Sequence, residues 1–143
     1  MRTQRRQLGW RALPLALLVG LAGCGSETLT GPTALEGGIW KLQTLQQGSS
    51  AVVPIAQPDR YTIEFRPDGT LPVKADCNSC SGTYTLSGAT LHVGDAMACT
   101  AVACPPGSLD SAFLAVLAGA QTHGVKDDLL TITSTSGEMT LRR

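Results

Sequence analysis

Asp76-Cys77-Asn78-Ser79-Cys80-Ser81-Gly82-Thr83-Tyr84 is the stretch on which the reading of this chain turns. Two cysteines and a turn stand directly before a strand pattern, and a second cysteine pair, Cys99 and Cys104, follows. In an exported protein an even number of cysteines builds disulfides; in a reducing compartment the same spacing suggests metal or redox chemistry. The compartment therefore decides the fold reading, and it is written at the N-terminus.

Arg2, Arg5, Arg6 and Arg11 form a positive leader without an acid among them. Ala12 to Leu21 is apolar, broken by Pro14 and Gly20, and falls well short of the roughly 20 residues that span a bilayer. Leu21-Ala22-Gly23-Cys24 then resembles a bacterial lipobox, in which the peptide is cut before the cysteine and the cysteine is lipidated. The alternative is an ordinary secretory signal cleaved near Ala22. We expect residues 1–23 to be a lipoprotein signal peptide and Cys24 to be the membrane anchor. Gly25 stands where inner-membrane lipoproteins often carry Asp, so the expected location is the outer membrane, facing the periplasm. Arg5-Arg6 lacks the surroundings of a twin-arginine signal.

Removing the leader takes four of the eleven basic residues and none of the eleven acids, so seven face eleven and the mature net charge is −4. A mildly acidic domain without a basic cluster excludes electrostatic nucleic-acid binding. The remaining length suits one domain. With Cys24 set aside, Cys77, Cys80, Cys99 and Cys104 are expected to form two disulfides.

Outward from the cysteines, strand patterns lie on both sides. Residues 24–37 read as a flexible tether and 38–143 as the domain. Ile39 to Gln43 alternates, with Trp40 and Leu42 inward, and Gln46 to Asp59 reads as a loop. Tyr61 to Phe65 and Thr70 to Asp76 flank Arg66-Pro67-Asp68-Gly69 and form a hairpin. Pro72 has no N–H for a ladder, which makes its strand an edge or turns its vacant side outward. After a turn at Cys77 to Cys80, Thr83 to Leu86 and Leu91 to Val93 form a second hairpin about Ser87 to Thr90, with His92 alternating to its solvent face. Ser108 is a candidate N-cap for a helix whose stripe is Leu109, Ala112, Phe113, Val116, Leu117 and Ala120, ended by Gly119. Thr122 to Lys126 reads as a short strand, and Leu129 to Thr133 with Glu138 to Leu141 as a last hairpin. The expected fold is α+β, a mostly antiparallel sheet of seven or eight short strands wrapped around a single helix and braced by disulfides.

Four cysteines allow three pairings. Bridges within each motif, Cys77–Cys80 and Cys99–Cys104, close tiny loops and stabilise least. Extending the second hairpin places Cys77 opposite Cys99 or Thr100, and Cys80 opposite Ala96 or Met97. That register favours Cys77–Cys99, with Cys80 left for Cys104, unless a bulge near Asp76 shifts it.

Gly38-Ile39-Trp40-Lys41-Leu42, Asp68-Gly69, Cys77-Asn78, Gly82-Thr83-Tyr84, Leu91-His92-Val93-Gly94, Thr100 to Pro105, the Phe113–Leu117 helix and Asp128 to Ile132 occur in an order that resembles the META domain, the HslJ-like family of bacterial envelope proteins. The resemblance covers roughly residues 36–142 and implies a sheet around one helix. It associates the chain with stress response and envelope integrity and implies no family-wide enzymatic activity. Its two recurrent cysteine positions match Cys77 and Cys104, which suggests Cys77–Cys104 with Cys80–Cys99, against the hairpin register. The family usually has Gly where this chain has Asp76.

The sites weigh against an enzyme. C-x2-C-x18-C-x4-C approaches zinc-ribbon spacing, but zinc needs thiolates that an oxidising periplasm removes. Cys77-Asn78-Ser79-Cys80 could be a redox dithiol, but such a motif gains its reactivity at a helix N-terminus and here a strand pattern follows. His92 and His123 have no carboxylate at triad-like positions, and Asp127-Asp128 reads as a turn. We expect a monomeric, non-enzymatic envelope lipoprotein with no cofactor and no metal, held to the membrane by lipid, with an unidentified envelope protein as its possible partner. A binding or inhibitory module acting through Gln46 to Asp59 is the alternative, and a dithiol oxidoreductase the third reading.

Overall fold

The computed structural model describes residues 32–143; the expected signal peptide, Cys24 and most of the expected tether lie outside them. Alternating apolar and polar residues build the strands. They are β1 Ile39–Gln47, β2 Val53–Pro54, β3 Tyr61–Glu64, β4 Thr70–Ala75, β5 Asn78–Ser87, β6 Thr90–Val93, β7 Ala98–Cys99, β8 Ala120–Lys126, β9 Leu129–Ser134 and β10 Gly137–Arg142. Two helices, α1 Pro32–Leu35 and α2 Asp110–Ala118, and a 3-10 turn at Pro58–Arg60 complete the elements.

The strands pair antiparallel in the order β1-β3-β4-β5-β6-β8-β9-β10, and β10 returns to pair with β1 from Lys41↔Arg142 to Gln47↔Gly137. The sheet is therefore a closed barrel, which removes the free edges of an open sheet. β2 adds to β1 above β3, and β7 adds to β5 beside β6. The closure brings the backbone of Gly137 (φ +145°) against the Gln46 carbonyl, where a Cβ would collide. The expected antiparallel sheet around one helix is what the chain forms; the closure and the two short strands are additions to it.

One end of the barrel carries the Arg66–Gly69, Ser87–Thr90 and Asp127–Asp128 turns, the start of β1 and the chain's C-terminus. Here α1 packs in, with Leu35 buried and the Trp40 indole N–H donating to the Leu35 carbonyl at 2.7 Å. Arg143 lies over the Trp40 ring, 4.8 Å from its centroid. Glu36 bridges to Phe65. Residues 32–35, inside the stretch read as tether, thus belong to the packed structure, because Ala34 and Leu35 cover core. The Tyr84 hydroxyl donates to the Arg66 carbonyl at 2.7 Å, and burial together with Glu36 pushes its pKa up to about 12.

α2 closes the other end. Phe113, Val116 and Leu117 are buried, and the helix packs against β1, β4, β9 and β10. It starts at Asp110 rather than at Ser108. The Ser108 hydroxyl still accepts from the Asp110 amide at 3.2 Å, but Leu109 occupies the cap position. Gly119 ends the helix as expected, and Ala120 already belongs to β8, not to the helical stripe. Trp40, Phe65, Ile63, Leu71, Leu130, Ile132, Met139 and Leu141 fill the interior.

Three local expectations change. Gln46 to Asp59 is not one loop, since β1 runs to Gln47 and β2 and the 3-10 turn follow. β4 is not an edge strand: β5 pairs across Pro72 at Ser81, and the ladder to β3 stops at Ile63↔Val73, just before the proline that has no N–H to give. Cys77 to Cys80 is not a turn, because the turn is Asp76-Cys77 and β5 begins at Asn78.

Candidate functional site

The cysteines meet at the rim closed by α2. Cys77 is bonded to Cys104, with Cα atoms 5.5 Å apart, and Cys80 to Cys99, with Cα atoms 4.0 Å apart. The pairing extrapolated from the hairpin, Cys77–Cys99 with Cys80–Cys104, is overturned, and the pairing implied by the family resemblance is the one formed. The reason is a slip in register. β5 and β6 pair Tyr84↔Val93 and Leu86↔Leu91, which if continued would set Cys80 against Met97. Instead Gly94 to Met97 loops out, and β7 returns with Cys80↔Cys99 and Ser81↔Ala98. Glycines accommodate the slip on both strands. Gly94 lies against the Thr83 side chain, and the Met97 side chain lies over Gly82, where a Cβ would stand 3.4 Å from its Cε.

Asn78 organises the loop that the bridges tie down. Its carbonyl oxygen accepts from the Thr100 hydroxyl and the Val102 amide, both at 2.9 Å. Its amide nitrogen donates to the Val102 carbonyl at 3.0 Å. One buried side chain thus satisfies backbone groups that this irregular loop cannot satisfy for itself.

Asp76 explains its own departure from the family's glycine. It sits at φ +60°, the left-handed region, and its buried carboxylate forms an ion pair with Arg60. The two backbones are also joined, Asp76 N–H to the Arg60 carbonyl at 2.7 Å. Glycine adopts this conformation freely, and Asp tolerates it better than most residues.

Beside Arg60 lies an open groove of about 240 Å³, lined by Pro54, Ile55, Gln57, Arg60, Tyr61 and Leu109 among others. The Tyr61 hydroxyl accepts from the Leu109 amide at 3.0 Å, and its ring meets Phe113 edge-on with centroids 5.7 Å apart. Val52 and Val53, before the groove in sequence, are exposed, as is Val102 on the bridged loop.

The arrangement limits the chemistry. All four sulfurs are in disulfides, so none is left as a thiolate for zinc, and among the described residues no cluster of three His, Cys, Asp or Glu could hold a metal. Cys77 and Cys80 belong to different bridges and are not paired with each other as the C-x2-C spacing would allow. His92 is exposed as expected, Ser111 is exposed, and Asp128 pairs with Arg142 at 2.8 Å. His123, by contrast, is buried inside the barrel. The reading of the sequence missed Asn78, Arg60 and this burial of His123. For Asn78 and Arg60 the only available signal was the unusual Asp before Cys77-Asn78.

A model of the META domain matches residues 33–143. The NMR structure of a protein from Burkholderia xenovorans is similar to this chain, with a TM-score of 0.64 and 22% identity over 92% of this chain and 98% of that one. The crystal structure of a DUF4847 family protein from Bacteroides vulgatus is similar with a TM-score of 0.55 and 13% identity, over 76% of this chain and 93% of that one. At these identities the likeness shows the fold alone. No curated protein matches the chain.

Proposed function

The chain belongs to the META domain family, and from that premise we propose that it is a non-enzymatic lipoprotein of the bacterial envelope, tethered through Cys24 and serving envelope integrity or stress resistance. The observation that carries this reading is the pair of disulfides at the α2 rim, since structural disulfides form and persist in oxidising compartments. Leu21-Ala22-Gly23-Cys24 supplies the means of anchoring there. With large side chains filling its centre and α2 closing one end, the barrel suits a rigid structural element better than a container.

Membrane fractionation tests it. Cys24→Ala should move the protein from the membrane to the soluble fraction, and equal fractionation of variant and parent would refute the anchor. A second reading, a periplasmic binding or inhibitory module for a protein partner, is favoured by one feature. Val52, Val53 and the groove at Arg60 lie at the end opposite Pro32, and so would point away from the membrane. Pull-down from envelope extract should recover a partner with the parent and lose it when both valines become Ser; recovery of the same proteins with each would remove this reading.

A further inference from the structure

β6 and β8 are the least joined neighbours of the barrel. Their ladder is one register pair, Thr90↔Thr122, supported by the His123 amide donating to the Ala89 carbonyl at 2.9 Å. Each other pair of adjacent barrel strands shares three or more register pairs. No hairpin ties the two strands, because β7, the bridged loop and α2 intervene between them.

His123 stands at this seam. It lies opposite Ile132, shares the inward face with Val125, and is 4% exposed. Among the described residues neither ring nitrogen makes a full hydrogen bond, and only the Ala89 carbonyl lies near enough to favour the protonated ring weakly. The charged and titratable groups around it offer no help. β9 carries none, and β6 carries only His92, which is exposed. Lys126 on β8, Asp127 and Asp128 in the following turn, and Glu138 and Arg142 on β10 are exposed. Asp110 is the first residue of α2, and Tyr84 on β5 is engaged with Arg66 and Glu36.

We propose that His123 is a pH-sensitive latch on the β6–β8 seam: on taking a proton from solvent it becomes a buried cation without an anionic partner, and the strands part there to admit water. A buried unpaired charge is far costlier than a buried neutral ring, and the response falls where the fewest backbone bonds resist it. Burial already pushes the imidazole below its ordinary 6.5, against a smaller opposing effect of the Ala89 carbonyl. The open chain therefore binds the proton first as pH falls. The seam's stability is complete above about pH 6.5 and is lost below it, until the closed-state value is passed. The device rests on the barrel alone and holds whether or not Cys24 is lipidated.

Amide hydrogen exchange on the mature protein tests the latch. Between about pH 7.5 and about pH 5.5, protection of the His123 amide, which bonds across the seam to Ala89, should fall several-fold relative to the β9–β10 amides, after correction for intrinsic exchange. In His123→Leu, which cannot take a proton, the relative protection should stay level. His123→Gln, neutral throughout, serves if the Leu variant does not fold. A parallel fall in parent and variant, or no fall in the parent, would overturn the proposal.

Discussion

The two ends of the barrel are closed by different means. The end where the described chain begins is sealed without covalent links: Leu35, Trp40 and Phe65 are buried there, the Trp40 indole donates to the Leu35 carbonyl, and Arg143 covers the indole. Its connections are tight turns such as Arg66–Gly69, where Asp68 accepts from the Thr70 amide at 2.9 Å and Gly69 takes φ +80°. The other end is closed by α2 and must also hold the irregular chain from Thr100 to Leu109. That chain has too few apolar side chains to pack itself down, so two covalent bridges and the buried amide of Asn78 hold it instead. Short turns can be closed by local geometry, whereas a long crossover needs links that do not depend on local geometry.

The contrast can be broken most forcefully by removing the bridges. Replacing all four of Cys77, Cys80, Cys99 and Cys104 by Ser opens loops with separations of 27 and 19 residues. At about 3 kcal/mol for each bridge, the loss is comparable to the whole stability of a small domain, about 5–15 kcal/mol. Urea denaturation should show a largely unfolded chain; a variant that keeps its midpoint would mean that α2 alone closes this end.

Phe113→Ala asks how much the helix contributes without touching the bridges. Its ring is fully buried against Tyr61, and truncation should cost about 3–5 kcal/mol. An unchanged thermal midpoint would move Phe113 out of the core and make the α2 end purely disulfide-held.

The smallest change is expected at Asp76, where the turn before β5 meets Arg60. Asp76→Gly removes both the left-handed strain, about 1–2 kcal/mol, and the ion pair with Arg60 that offsets it, so stability should change by less than about 1 kcal/mol. Asp76→Ala keeps the strain and loses the pair, and should be the worse of the two. If the two variants melt alike, the ion pair rather than the backbone conformation decides this turn.

Local periodicity and turn chemistry account for what is legible along the chain. Tyr61, Ile63, Leu71 and Val73 face inward because side chains alternate along a strand. Pro67-Asp68-Gly69 turns because proline presets φ and glycine accepts a positive value. The Phe113, Val116 and Leu117 stripe and the Gly119 stop were equally legible, as was the need for disulfides. Other features were decided only in three dimensions. The bridges Cys77–Cys104 and Cys80–Cys99 depend on the loop at Gly94–Met97, and its two-residue slip in register leaves no mark in a pattern whose period is two residues. Closure through β1 and β10 joins segments far apart in the chain, so no local pattern records it. The left-handed turn at Asp76 is tolerable because Arg60, brought alongside by the β3–β4 pairing, meets its carboxylate. His123 is inside because β8 pairs with β9 in a register that sets it opposite Ile132, a partner that its own neighbours in sequence do not reveal.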